Sequence, residues 1–314
     1  MEKIAIVGAG LIGRAWAMVF ARAGHDVAVY DAAPGAVDKA LGLIAAGLHE
    51  SREFGLIGEA PETVVKRVHA AATLADALKD ADYVQENTAE NLEIKRAVFA
   101  QMDAAAKPDC ILASSTSTIE TSRFADGLPG RHRCLVAHPV NPPHVVPIVE
   151  ISPAPFTAPD VVERTRSLQE RAGQVPITVK REVEGFILNR LQAALLNEAW
   201  RLVKEDYVSV EDLDKTIRDG LGLRWAFMGP FETIDLNAPG GVSDYAARYG
   251  PKLYGMMKDI RYDAWDDELV ARVEAERRKL MPQGDHGKRE AWRDRRLMAL
   301  IAHKRKMAKD EGHR

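Results

Sequence analysis

Six residues near the start of the chain, Gly8-Ala9-Gly10-Leu11-Ile12-Gly13, limit most sharply what it can fold into. They follow directly on an apolar run, residues 3–7, that reads as a strand, and they open a helical segment over 12–23. In that context the spacing has a mechanical meaning. Gly8 permits the tight turn out of the strand, and Gly10 lets backbone approach a pyrophosphate. Gly13 allows the helix to pack close on the strand. The first helical N–H groups, from Leu11 and Ile12 onward, then face an anion with the positive end of the helix dipole behind them. Asp31, at the end of the second strand candidate, lies 18 residues past Gly13. Its carboxylate can accept hydrogen bonds from ribose hydroxyls and would repel a 2′-phosphate. Ala32 and Ala33 follow it, with no arginine to hold such a phosphate, so the pattern predicts NAD over NADP.

The rest of the first half repeats the alternation. Strand candidates at 3–7, 26–30, 68–71, 83–86, 111–113 and 135–137 are interleaved with helical segments at 12–23, 35–54 and 92–106. This predicts a parallel sheet covered by helices on both faces. After a last strand candidate near 176–180 the pattern changes to helices, beginning with 186–204 and 209–220. Ser209, with Asp212 three residues on, reads as a helix cap. The expected architecture is α/β, a Rossmann-type doubly wound N-terminal domain over 1–183 followed by an all-α domain over 184–314.

With 314 residues, the chain has room for both domains. A hydrophobic content of 46% and a charged content of 28% suit a soluble globular protein. The net charge of −3 offers no basic field for nucleic acid or an anionic membrane. No apolar run approaches the roughly 18 residues of a membrane span, and the strand beginning at Lys3 leaves no room for a signal peptide. Cys110 and Cys134 both sit in apolar runs, outside any CxxC or Cys/His cluster. Buried free thiols, a cytoplasmic location and no metal site are expected. The Lys- and Arg-rich tail, 303–314, reads as a solvated helix end.

Chemistry is suggested by His138, which ends the run at 135–137 and begins a proline-stiffened loop, His138-Pro139-Val140-Asn141-Pro142-Pro143. A second apolar run, 145–151, follows at once and can fold back to bring Glu150 beside His138. An imidazole oriented by a carboxylate is suited to proton transfer near neutral pH. Other strand ends are polar as well. Gln85-Glu86-Asn87 leads into Glu90 and Lys95, and 111–113 leads into Ser114-Ser115-Thr116-Ser117-Thr118. Ser117 or Thr118 can equally be a helix cap. Asn189, just after Gly185-Phe186-Ile187-Leu188, carries an amide that needs a partner if buried.

Taken together, Gly-Ala-Gly-Leu-Ile-Gly, Ser-Ser-Thr-Ser, His-Pro-Val-Asn-Pro, the glutamate twelve residues beyond that histidine, and Gly-Phe-Ile-Leu-Asn-Arg resemble the L-3-hydroxyacyl-CoA dehydrogenase superfamily. Order and spacing match along almost the whole chain. The resemblance implies NAD as cofactor and a catalytic dyad at His138 and Glu150. It also implies substrate-oxygen contacts at Ser117 and Asn189, residues near the nicotinamide at Glu90 and Lys95, and a homodimer built on the helical half. The segment from Gly220 to Thr233, Leu236-Asn237 and Trp292-Arg293-Asp294 are closer still to the branch of lambda-crystallin, which is L-gulonate 3-dehydrogenase. Fatty-acid members often carry aromatic residues where this chain has Pro139-Val140.

One physical feature bears on substrate. A CoA substrate brings phosphate charges, and in the CoA-linked members the helical segment after the second strand contributes to the CoA site and is often lysine-rich. Here 35–58 holds only Lys39 and Arg52 as cations, against Asp38, Glu50 and Glu53. A small hydroxy acid is therefore expected, with Arg224 either holding its carboxylate or serving as a surface or dimer-interface arginine. The other readings are a short-chain 3-hydroxyacyl-CoA dehydrogenase, a carnitine 3-dehydrogenase, and a non-catalytic crystallin-like or NAD-sensing protein.

Overall fold

The glycine loop joins β1 (Lys3–Val7) to α1 (Leu11–Arg22) in the computed structural model, which describes residues 1–262 and 264–310. Seven more strands complete the sheet: β2 (Asp26–Tyr30), β3 (Val68–Ala70), β4 (Tyr83–Glu86), β5 (Ile111–Ser114), β6 (Cys134–Pro139), β7 (Ile148–Pro153) and β8 (Val175–Thr178). Their order is β3-β2-β1-β4-β5-β6-β7-β8. The chain moves outward from β1 to β3 and then returns to lay β4 on the other side of β1. The carboxyl ends of β1 and β4 therefore flank the point where strand order reverses, the place such sheets bind ligands. All neighbours are parallel except β6 and β7.

Helices cover both faces: α1 and α2 (Ala36–Glu53), the short α3 (Pro61–Val65) and α4 (Leu74–Leu78), then α5 (Leu92–Ala105), α6 (Thr121–Ala125) and α7 (Pro159–Arg171). Alternate residues of each strand serve opposite cores. Ile4 and Ile6 pack with Trp16, Phe20, Ile44 and Leu48, whereas Ala5 and Val7 pack with Val84, Phe99, Met102 and Phe124. This two-sided burial is why the strands read as apolar runs rather than as alternating ones.

Two compact units result. The first is Met1–Asn189 together with the chain from Glu290 on; the second is Arg190–Arg289. The second unit is helical. It contains α8 (Leu188–Lys204, which begins in the first unit), α9 (Val210–Lys215), a π-helical turn at Thr216–Leu221, α10 (Gly222–Trp225), α11 (Pro230–Leu236), α12 (Gly241–Met257) and α13 (Asp267–Leu280). Ser209 caps α9 as expected, accepting the Asp212 amide hydrogen bond at 3.1 Å. Val203, Val210 and Leu269 form its core, beside stacked Trp200 and Trp265.

The last helix, α14 (His286–Asp310), returns to the first unit. Met298 is buried with Leu56 and Val145, and Arg305 donates to the Leu56 carbonyl at 3.1 Å. The compact units thus differ from the division expected after residue 183, because Met298, buried against Leu56 and Val145, ties the far end of the chain to the first unit. Residues 311–314 of the basic tail lie outside the described residues.

Candidate active site

The glycine loop is shaped for a pyrophosphate. Gly8 has φ +96°, and a Cβ there would meet the Asn87 carbonyl oxygen at 2.7 Å. A Cβ at Gly13 would collide with the carbonyl of Gly8, so only glycine lets α1 begin this close to β1. Gly10 faces open space, leaving the backbone accessible. No side chain caps α1, and its first turn, which holds Leu11 and Ile12, carries no acid. Free N–H groups with an uncompensated positive dipole end are therefore available to phosphate oxygens. Asp31 borders the loop: it accepts from the Ala9 amide at 2.7 Å and from the Ala33 amide at 2.8 Å. These residues fit an NAD adenosine and pyrophosphate.

His138 and Glu150 occupy facing positions in the antiparallel β6–β7 pair. His138 Nδ1 and Glu150 Oε2 are 2.9 Å apart, and both side chains are buried. The other carboxylate oxygen, Oε1, accepts from the Ile187 and Leu188 amides, each at 2.9 Å. Burial works against the charged form of Glu150, but the hydrogen bonds from His138, Leu188 and Ile187 outweigh it and hold its carboxyl below the ordinary value. Phe186 is buried against the His138 ring, with centroids 5.4 Å apart, in a positive-φ conformation of +51°. The chain from Gly185 to Leu188 is thereby bent around the dyad before α8 begins.

The serine-rich loop after β5 wraps around Glu90. Its Oε1 accepts from Thr116 Oγ1 at 2.6 Å, the Ser117 amide at 3.0 Å, the Thr118 amide at 3.1 Å and Thr118 Oγ1 at 3.2 Å. Neither Ser117 nor Thr118 caps a helix: α6 begins at Thr121. Burial opposes ionisation of Glu90, yet Thr116, Lys95 and the loop amides together hold its carboxyl below the ordinary value. Ser117 is exposed, and Asn189 Nδ2 donates to its carbonyl oxygen at 2.8 Å. The hydroxyl and the amide expected to contact one substrate oxygen thus belong to adjoining residues.

Lys95 lies on the buried stripe of α5 with Phe99 and Met102, at the i, i+4 and i+7 positions. Its ammonium lies 3.1 Å from both oxygens of Glu86, a carboxylate with no exposed surface. Glu86 also accepts from Ser114 Oγ at 2.6 Å and from the Thr88 amide at 2.6 Å. Lys95 is therefore an internal strut between β4, β5 and α5, with Glu90 Oε2 at 3.8 Å as a further neighbour. Sequence reasoning missed Glu86, although a charged residue closing a buried strand needs a cation, and Lys95 falls on the inner stripe of the next helix. It also missed the Ile187 and Leu188 amides, which no side-chain pattern announces. Arg224, in α10, is exposed, and its guanidinium makes no hydrogen bond or ion pair among the described residues. No group of three or more metal-ligating side chains occurs among the described residues.

Comparison with known proteins agrees with this geometry. Residues 3–183 match the NAD-binding domain of 3-hydroxyacyl-CoA dehydrogenase, and residues 185–279 match its C-terminal domain. The lambda-crystallin homolog of Bos taurus is 44% identical over 304 residues, covering 95% of this chain and 94% of its own. An L-carnitine dehydrogenase of Streptomyces griseus is 38% identical over 254 residues, covering 81% and 75%. Among solved structures, an NAD-dependent dismutase, 5-formyl-3-hydroxy-2-methylpyridine 4-carboxylic acid 5-dehydrogenase, superposes with a TM-score of 0.83 at 28% identity, covering both chains completely. This chain belongs to the 3-hydroxyacyl-CoA dehydrogenase family and is an NAD-dependent oxidoreductase acting on a CH–OH group.

Proposed function

We propose that this enzyme oxidises the 3-hydroxyl of a small free hydroxy acid, L-gulonate first among the candidates. The observation that carries the reading is the buried His138–Glu150 pair, with Ser117 and Asn189 held together beside the strand ends. His138 receives the hydroxyl proton at Nε2, since Nδ1 faces Glu150. Glu150 selects that tautomer and stabilises the imidazolium that forms. Ser117 and Asn189 position the reacting oxygen as charge develops on it. Bound NAD would supply the hydride acceptor, and the glycine loop and Asp31 would hold its pyrophosphate and adenosine. Glu90, with Lys95 behind it, would set the serine-rich loop at the nicotinamide end.

A free acid rather than a CoA thioester is favoured by the state of α2. Arg295 of α14 pairs with Glu50 at 3.0 Å, and its guanidinium lies over the Phe54 ring at 5.1 Å. Arg52, one of the two cations of this segment, is taken up by the carbonyls of Ile57 and Gly58 at 2.8 and 2.7 Å. The helical face that would meet CoA phosphates is thus covered by α14 and poor in available cations. The carnitine reading draws on the Streptomyces relative. Exposed Leu223, Phe227, Phe231, Tyr254 and Tyr262 on the second unit support a homodimer. The free, buried thiols of Cys110 and Cys134 suit a cytoplasmic location.

A substrate panel with NAD tests the reading: L-gulonate, L-carnitine, L-3-hydroxybutyrate and 3-hydroxybutyryl-CoA. L-Gulonate should show the highest kcat/KM. A higher value for the CoA thioester would overturn it.

A further inference from the structure

A cavity of about 270 Å³ lies within the first unit, beside the glycine loop. Its walls are Leu11 and Arg14 from the first turn of α1, Glu50 from α2, Asn141 and His144 from the loop that follows His138, and Asp294 from α14. Its walls are thus drawn from the helix that the glycine loop opens and from the loop that follows His138 and β6. The volume falls just under the ~300–1,000 Å³ usual for small-molecule pockets, which suits a compact solute and not a pantetheine arm.

The polar groups of this cavity are unequally satisfied. Its two acids have partners: Glu50 is paired with Arg295 at 3.0 Å, and Asp294 accepts from Arg293 at 2.8 Å. The Arg14 guanidinium makes no hydrogen bond or ion pair among the described residues. His144 Nδ1 is buried with no partner. Burial, with the nearby Arg22 guanidinium adding to it, pushes His144 down to about 4, so at neutral pH its ring is uncharged. A buried, unpaired atom such as His144 Nδ1 is costly unless a ligand completes it, and half-buried Arg14 stands beside it with its charge unpaired.

The wall is also preformed. Arg22 donates to the His144 carbonyl at 2.6 Å and to Gln174 Oε1 at 3.2 Å, while Gln174 Nε2 donates to the Pro143 carbonyl at 3.1 Å. The Val145 and Val146 amides close the turn on the Pro142 carbonyl, at 3.0 and 2.9 Å. His144 is thus held at the cavity by the fold and does not depend on a ligand for its position.

We propose that this cavity takes the non-reacting, carboxylate-bearing end of the substrate, with Arg14 on the carboxylate and His144 Nδ1 hydrogen-bonded to a neighbouring oxygen. This deepens the free-acid reading and rests on it. It assigns to Arg14 the part that sequence reasoning offered to Arg224. Arg14 is then the residue that separates free acids from thioesters.

The test is steady-state kinetics with NAD, using whichever carboxylate of the four-compound panel turns over best. Alongside it, fluorescence titration measures NADH binding. Arg14→Met should raise KM at least tenfold, leave kcat within about threefold and leave NADH affinity unchanged. Arg14→Lys should recover part of the loss, because it restores the charge without the planar fork. His144→Phe should raise KM about threefold, and Arg224→Met should leave it unchanged. An unchanged KM in Arg14→Met, an equal weakening of NADH binding, or a KM effect in Arg224→Met alone would overturn the proposal. So would turnover of the CoA thioester only. Failure of L-gulonate with turnover of another free acid would sink the gulonate reading and leave this one standing on its own result.

Discussion

His138 and Glu150 face each other across the β6–β7 ladder, and the 2.9 Å contact between their side chains follows from that register. Directly opposed residues of an antiparallel pair point to the same face with Cβ atoms roughly 5 Å apart. A one-residue slip would send the carboxylate to the other side of the sheet. The reversed β7 is thus what makes a dyad out of two residues twelve positions apart. If the pair performs proton transfer, His138→Gln should lower kcat by at least about 10²-fold while NADH still binds with parental affinity. Near-parental turnover in that variant would remove His138 from the mechanism.

Glu150 should leave a pH signature in stability. Its carboxyl is held below the ordinary value despite burial, by His138 and the Leu188 and Ile187 amides. A carboxylate more acidic in the folded than in the unfolded chain stabilises the fold above its unfolded pKa of about 4.3. That contribution is lost as pH falls through the lower folded value. Glu150→Gln should therefore melt below the parent at pH 7, with the gap closing below roughly pH 4. Melting temperatures across pH 3–8 read this directly, and a gap independent of pH would contradict it.

Asp31 should set the choice of dinucleotide. Asp31→Asn keeps an acceptor for the Ala9 amide, now bonded at 2.7 Å, and removes the charge that faces a 2′-phosphate. The ratio of kcat/KM for NAD over NADP should fall by about tenfold or more, equivalent to ~1.4 kcal/mol. An unchanged ratio would show that Asp31 does not discriminate.

The Glu86–Lys95 strut should matter to folding more than to any single chemical step. Lys95→Met would leave a fully buried carboxylate unpaired, at a cost of roughly 3–5 kcal/mol. A drop of about 10 °C in melting temperature is expected. The double variant Glu86→Gln, Lys95→Met should recover part of it, because it removes the orphan charge. A single variant as stable as the parent would mean that water reaches Glu86.

What the sequence determined by itself were the features whose causes are local. The glycine spacing, the apolar runs and the Ser209 cap each depend on neighbours within a few residues, and β1, α1, Asp31 at the end of β2 and the capped α9 fall where they were read. His138 and Glu150 were legible as a pair because a single proline-rich loop separates their strands. Tertiary structure alone decided the rest. Glu86 is a strut and not a surface acid because β5 and α5 close over it. The Ile187 and Leu188 amides reach Glu150 only because the chain bends at Gly185 and Phe186. Arg14 lines a cavity only because α14 returns across the whole length of the chain to cover α2. Local sequence carries no record of such contacts; long-range packing creates them, and it is there that buried charges and unpaired donors acquire their chemistry.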